Sequence, residues 1–253
     1  MTWSAKQYST FERERTRPVM DLVAALPATD VKLAVDLGCG PGNSTEVLAA
    51  RFPDAKVIGM DSSDDMLVNA RERLPDIRFE LADIATWNPP ESFDVILANA
   101  ALQWVPDHRT LYPRLASKLA PGGRLAIQTP DNLGEPAHKL ALEVAADGPW
   151  AAKIGAVEHP PRHGAQFYYE LLQPHCTELD IWRTTYFHKL AGPAAIVEWF
   201  KSTALRPFTG PLDEPERTEF LAHYLEAITK AYPTLPSGEV LLPFPRLFIV
   251  ATR

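Results

Sequence analysis

Short apolar runs recur along the first half of the chain, and each is followed by a stretch with helical periodicity. Leu33-Ala34-Val35-Asp36-Leu37 is the first run, rich in Val and Leu and closed by Gly38, Gly40 and Gly42. That composition predicts a buried parallel strand entering a tight turn. Asn43-Ser44-Thr45 then offers side chains for a helix cap, with Val47, Leu48 and Phe52 as the apolar stripe behind it. Ala55–Asp61 predicts a second strand, followed by a helix marked by Met66, Leu67, Ala70 and Leu74. Ile77–Ile84 alternates as a third strand, and Phe93–Asn99 is apolar enough for a fourth, buried on both faces. Leu111, Leu115 and Leu119 repeat at helical spacing, with Pro121-Gly122-Gly123 predicted to end that helix, and Arg124–Gln128 is the fifth strand. Strands alternating with helices in this way predict an α/β fold with one doubly wound, mostly parallel sheet.

The rhythm changes beyond Pro130. Residues 130–175 and 190–238 read as two helical insertions, separated by Thr177–Phe187 as strand six and followed by Val240–Ala251 as strand seven, the strand that closes the sheet. Residues 1–30 carry Phe11, Val19, Leu22, Val23 and Leu26 in a helical pattern that Pro18 interrupts. The expectation is a single domain over 1–253, with residues 1–30 as a helical lid and the two insertions as caps over the ligand edge of a seven-stranded sheet. Caps there enclose a small pocket and argue against a protein or nucleic-acid substrate.

The chain has 253 residues, a net charge of −7 and 46% hydrophobic residues. Its field does not favour nucleic acid or an anionic membrane surface. No window approaches the roughly 20 apolar residues of a membrane span, and the charged N-terminal stretch does not read as a secretory leader. The two cysteines, Cys39 and Cys176, match no metal spacing. A cytoplasmic protein is the expectation, with no metal, membrane or nucleic-acid partner; oligomeric state is not legible.

Candidate chemistry sits where the strands end. Asp36, Asp61 and Asp83 close three of the first strands, and doubly wound sheets bind ligands at that edge. The glycines at 38, 40 and 42 let a ligand approach the backbone. A dinucleotide fingerprint is broken because Asn43 stands at its sixth position and the third glycine comes one place early, and a phosphate loop ending in Lys-Ser/Thr is absent. Asp61 can accept both hydroxyls of a ribose, or it can belong to a helix cap with Ser62 and Ser63. Asp83 alone reads as a turn residue, but as a third acid in line it can accept from an adenine amino group with Ile84 covering the ring. Asn99 closes the fourth strand and is followed by two alanines. Trp104 is either core or a wall of the cleft.

Val35–Gly42 resembles motif I of the Rossmann-like S-adenosylmethionine (SAM) methyltransferases. With Leu102-Gln103-Trp104, Pro106-Asp107-His108, Asp180–Tyr186 and Phe244–Ala251, the chain is similar over its whole length to the bacterial trans-aconitate 2-methyltransferase family. The resemblance implies methyl transfer from SAM to a carboxylate of trans-aconitate, giving a monomethyl ester and S-adenosylhomocysteine (SAH). It implies a cofactor site at Asp36, Gly38, Cys39, Gly40, Asn43, Asp61, Ser62, Met66, Asp83, Ile84, Asn99 and Trp104. A carboxylate is already ionised at neutral pH, so no catalytic base is assigned. Burying three carboxylates requires cations and donors. The candidates are Tyr8, Arg17, Trp104, His163, Tyr168, Tyr169 and Arg183, with Arg206 and Arg246 in the wider pool. Competing readings are a methyltransferase for another small acid or hydroxyl compound, a nonenzymatic SAM-binding regulator, and an NAD-dependent oxidoreductase.

Overall fold

The structure, a computed structural model, describes residues 12–28, 30–158, 162–201 and 203–253. In chain order the elements are α1 (Glu12–Ala24), β1 (Leu33–Leu37), α2 (Asn43–Arg51), β2 (Lys56–Asp61), α3 (Asp64–Arg73), β3 (Arg78–Leu81), β4 (Phe93–Asn99), α4 (His108–Ser117), β5 (Leu119–Pro130), α5 (Pro136–Ala146), α6 (Ala151–Ile154), α7 (Ala165–Leu172), β6 (Glu178–Leu190), α8 (Pro193–Lys201), α9 (Arg206–Thr209), α10 (Glu214–Ala231) and β7 (Val240–Thr252). They form a seven-stranded sheet in the order β3-β2-β1-β4-β5-β7-β6. Strands β1 to β5 pair in parallel, and β7 runs antiparallel to β5. The predicted doubly wound, mostly parallel α/β sheet is the fold observed.

The chain groups into two compact units. One holds the described residues within 9–130, 160–184 and 246–253. Its core runs along β1, β4 and β5, where Val35, Leu37, Ile96, Ala98, Leu125 and Ile127 are buried, and α4 adds Leu111, Tyr112 and Leu115. Near-continuous apolar strands are what burial on both faces requires. Helix α1 runs unbroken through Pro18, contrary to the expected interruption. Its buried side chains Val19, Leu22 and Val23 supply the packing that outweighs one lost backbone bond.

The other unit holds the described residues within 131–159 and 185–245, so the stretch from 162 to 175 of the first insertion belongs with the sheet unit. Here Trp150 is fully buried, donates from Nε1 to the Val144 carbonyl at 2.8 Å and meets Phe220 edge-on. Tyr224 donates to the Ala137 carbonyl at 2.8 Å, and Tyr232 accepts from the Ala137 amide at 3.0 Å. Asp213 and Glu216 form a capping box that starts α10.

Four further sequence readings are corrected. The third strand stops at Leu81, so Asp83 lies two residues past it in a loop. Leu119 opens β5, in register with Phe93, instead of extending α4; Pro121-Gly122-Gly123 lies in an irregularity of that strand, between the Phe93–Leu119 and Val95–Arg124 pairs. Leucines at four-residue spacing carry no mark of where the backbone straightens. Strand β7 does not close the sheet: it inserts between β5 and β6 because its residues 247–251 are buried, whereas β6 alternates and stands at the edge. The fourth concerns Ser44 and Thr45, whose hydroxyls do not cap α2.

Candidate functional site

The parallel strands bring their carboxyl ends to one edge, and the segments after β1, β3 and β4 meet there. Gly38, Gly40 and Gly42 all have positive φ, at 70°, 55° and 91°. The amides of Gly38 and Cys39 both donate to the Met60 carbonyl, at 2.8 and 2.9 Å, which folds the loop back toward β2. A Cβ on Gly38 would stand 2.5 Å from the Ala101 Cβ and 3.4 Å from Ile84 Cδ1. Gly38 is therefore the point where the post-β4 and post-β3 loops close on the glycine turn. A Cβ on Gly40 would meet nothing within 4 Å, so that face of the turn is open to a ligand.

Asp36 is fully buried, and its Oδ2 accepts from the hydroxyls of Ser44 and Thr45 at 2.7 Å each. Those hydroxyls serve the buried acid, and Gly42 occupies the N-cap position without a side-chain bond. Burial pushes the Asp36 carboxyl up to about 6, with the two hydroxyls opposing the rise and the Asp61 charge adding to it. Cys39 is buried too, and burial with the charges of Asp36 and Asp61 raises its thiol, so it does not serve as a thiolate nucleophile.

Asp61 ends β2, half-buried. Its Oδ2 accepts from the Gly40 amide and its Oδ1 from the Ser63 amide, both at 2.9 Å. Ser63 is the N-cap of α3 and accepts from the Met66 amide at 3.4 Å; Ser62 is exposed and Met66 and Asn43 half-buried. Asp83 is exposed and accepts from the Ala85 amide at 2.8 Å, a local turn bond, while Ile84 is half-buried beside Gly38. Asn99 ends β4 with its Oδ1 buried and without a hydrogen-bond partner. The next residue, Ala100, has φ of 53°, a left-handed conformation that non-glycine residues adopt at a cost. Gln103 holds it there, donating to the Ala100 carbonyl at 2.6 Å. Trp104 is 63% exposed and is not core.

The candidate substrate residues scatter. Arg17 is exposed and lies 4.0 Å from Asp21, and Tyr169 and Arg183 are exposed as well. Tyr8 lies outside the described residues. Tyr168 is buried, stacks on Tyr112 with centroids 4.8 Å apart, and its hydroxyl lies 2.9 Å from His108 Nδ1. His163 stacks on Phe167 at 3.8 Å. Arg206 is exposed, whereas Arg246 is buried and donates from Nη1 to Gln128 Oε1 at 3.1 Å. Sequence reasoning gave no role to Gln128 or His108. The available signal was a polar residue inside the apolar run Leu125–Pro130 and an imidazole directly after the Asp107 helix cap.

Two neighbouring carboxylates, an open glycine turn and a buried amide oxygen suit a cationic, hydroxyl-bearing ligand and repel a pyrophosphate. The residues present therefore fit SAM. Among the described residues no helix is long and apolar enough to cross a membrane, and no group of three or more His, Cys, Asp or Glu is placed to hold a metal.

A methyltransferase-domain family model matches residues 34–123, the stretch from β1 into β5. A protein of Methylobacterium radiotolerans named trans-aconitate 2-methyltransferase is 54% identical over 255 residues, covering 99% of this chain and 98% of its own. The chain belongs to the trans-aconitate 2-methyltransferase family. A second relative of that name, from Rhizobium meliloti, is 51% identical over 255 residues and covers 100% of this chain and 99% of its own. Among solved structures, the YcgJ protein of Bacillus subtilis matches with a TM-score of 0.62 at 14% identity, covering 94% of this chain and 98% of that one. Haemonchus contortus phosphoethanolamine N-methyltransferase 2, solved with SAH, matches with a TM-score of 0.53 at 14% identity, over 94% of this chain and 52% of that one. These likenesses show the fold, and membership of the family rests on the two relatives that align from end to end.

Proposed function

We propose that this chain transfers the methyl group of SAM to a carboxylate of trans-aconitate, giving the monomethyl ester and SAH. The observation that carries the reading is end-to-end similarity, 54% over 255 residues, to a protein that bears this name. SAM supplies an electrophilic methyl on a sulfonium: the carboxylate oxygen's electron pair forms the new C–O bond, and the C–S pair stays on sulfur. No proton moves, so no side chain has to act as a base.

The work of the chain is then to bind, orient and exclude water. Gly38 to Gly42 give the ligand access to backbone, and Asp36 supplies negative charge from behind the loop. Asp61, fixed through Gly40 and Ser63, receives ribose hydroxyls. Asp83 and Ile84 take the adenine end, with Ser62 and Met66 beside it. Cys39 and Asn43 shape the turn, and Asn99 with Trp104 borders the reacting centre. The free thiols of Cys39 and Cys176 suit a reducing cytoplasm.

The test is turnover of labelled SAM against a panel of di- and tricarboxylates across pH. We expect trans-aconitate to be the preferred acceptor, and its rate to stay flat through neutral and mildly alkaline pH. A preferred acceptor without a carboxylate, or cofactor binding without turnover on any acid, would overturn the reading.

A further inference from the structure

Strand β4 leads into a turn that the chain makes in a single residue. The amide of Ala100 donates to the Gln128 carbonyl at 2.8 Å, one step past the Asn99–Gln128 pair that ends the β4–β5 register. The Cβ of Ala101 already lies against Gly38, 2.5 Å from where a Cβ on that glycine would stand. Between those two pins the backbone has to turn, and among the described residues Ala100 is the non-glycine that does so left-handed, at φ of 53°. A glycine would take this conformation freely. Alanine keeps it only where its surroundings hold it there.

The holding group is Gln103. Its side chain belongs to a residue only 4% exposed, and its Nε2 donates to the Ala100 carbonyl at 2.6 Å. Its Oε1 is buried without a hydrogen-bond partner, so the amide costs stability at one end. What the other end supplies is the shape of Ala100. Gln103 is itself fixed from outside the turn: its carbonyl accepts from Arg162 Nη1 at 3.1 Å, and the neighbouring Leu102 carbonyl lies 2.9 Å from His108 Nε2. The clamp is therefore anchored on two other segments. It acts on the residue that joins Asn99, at the border of the proposed reacting centre, to Ala101, against the glycine turn.

We propose that Gln103 is a positioning residue for methyl transfer. By holding Ala100 left-handed it fixes the Asn99–Ala101 segment against the glycine turn, and with that segment the alignment of acceptor oxygen and methyl carbon. The inference rests on the functional reading above and adds to it a residue that acts through the backbone.

Gln103→Met keeps the length of the side chain and removes the donor, whereas Ala100→Gly removes the left-handed penalty that the donor offsets. Both single variants and the double variant are assayed in the full-length chain with trans-aconitate. Gln103→Met should lower kcat by about tenfold, with KM and SAH affinity moving by less than about threefold. In the Ala100→Gly background the same substitution should lower kcat by less than about threefold, because glycine keeps the turn unaided. That rescue separates positioning at Ala100 from a general loosening of the fold, which glycine would worsen. If Gln103→Met does not fold, the double variant should regain fold and turnover, and a double variant that stays unfolded overturns the proposal. So does a folded Gln103→Met with wild-type kcat, an equal loss in both backgrounds, or a fall in affinity with kcat unmoved. A wild-type chain that methylates no acid removes the functional reading and the positioning role with it, while non-additive stabilities of the two variants in urea would still report the clamp.

Discussion

The carboxylate of Asp61 accepts the backbone amide of Gly40 across 2.9 Å, tying the end of β2 to the open glycine of the turn after β1. Its second oxygen is fixed by Ser63. The acid is thus held in one orientation before any ligand arrives, which lowers the ordering cost of binding. Asp61→Ala removes both the orientation and the charge-assisted acceptors. We expect SAM and SAH to bind about 2 kcal/mol more weakly, roughly 30-fold, with Asp61→Asn in between. Isothermal calorimetry measures it, and unchanged affinity in the alanine variant would remove Asp61 from the cofactor site.

Two glycines of the same turn should answer alanine differently. At Gly40 the new methyl finds open space, so the fold loses only the left-handed backbone cost, about 1–2 kcal/mol. Cofactor affinity should fall further than stability does, because the methyl stands on the face a ligand would use. At Gly38 the methyl would lie 2.5 Å from the Ala101 Cβ, and stability should drop by about 3 kcal/mol. Thermal melts alongside SAH titrations separate the two, and equal losses at both sites would contradict the open face at Gly40.

Asp36 carries a stability term whose sign follows from its environment. Its carboxyl is pushed up to about 6 in the fold, chiefly by burial, against an ordinary value near 3.9 in the unfolded chain. The folded state therefore holds the proton more tightly. This contribution favours folding at low pH and is lost as pH rises from about 4 through 6, a swing of about 2–3 kcal/mol. Asp36→Asn has no charge to bury, so its stability relative to wild type should improve by that amount between pH 4 and 7. Urea unfolding at both pH values reads the difference directly. A difference that stays constant across the range would mean that the acid is solvated.

The chain announced its sheet more clearly than its pockets. Leu33–Leu37, Phe93–Asn99 and the three glycines carry their meaning locally, since apolar runs need burial and positive φ needs glycine. Asp83 was harder: it ends an alternating pattern in the sequence but makes a turn bond to Ala85, because hydrophobic alternation does not say where pairing stops. The polar pairs were not legible at all. Gln128 and Arg246 are 118 residues apart, and His108 and Tyr168 are 60 apart. Such partners are chosen by strand order and helix packing, not by spacing. Asn43-Ser44-Thr45 failed for a related reason, since a buried acid behind the loop outcompetes a helix terminus for hydroxyl donors.

His108 links α4, α7 and the loop after β4. Its Nε2 lies 2.9 Å from the Leu102 carbonyl, which can only accept, so Nε2 carries the hydrogen and Nδ1 receives the Tyr168 hydroxyl. Burial lowers the imidazole below its ordinary value, with His163 and Arg162 pushing the same way and the Leu102 carbonyl opposing them. The unfolded chain then takes up a proton near pH 6.5 that the folded chain refuses, and stability is lost as pH falls from that point toward the lowered value. The sign is opposite to that of Asp36 and the two pH windows overlap, so each contribution is read from its own variant against wild type. His108→Gln keeps a donor for Leu102 and has no proton to gain. Its unfolding free energy should decline less than that of wild type between pH 7 and 5. His108→Ala empties a buried site and breaks both bonds, at a cost of about 3 kcal/mol. It also loosens the segment that holds Ala100, so kcat should fall in the alanine variant and recover in the glutamine one. An alanine variant with wild-type turnover would show that the post-β4 loop keeps its shape without His108.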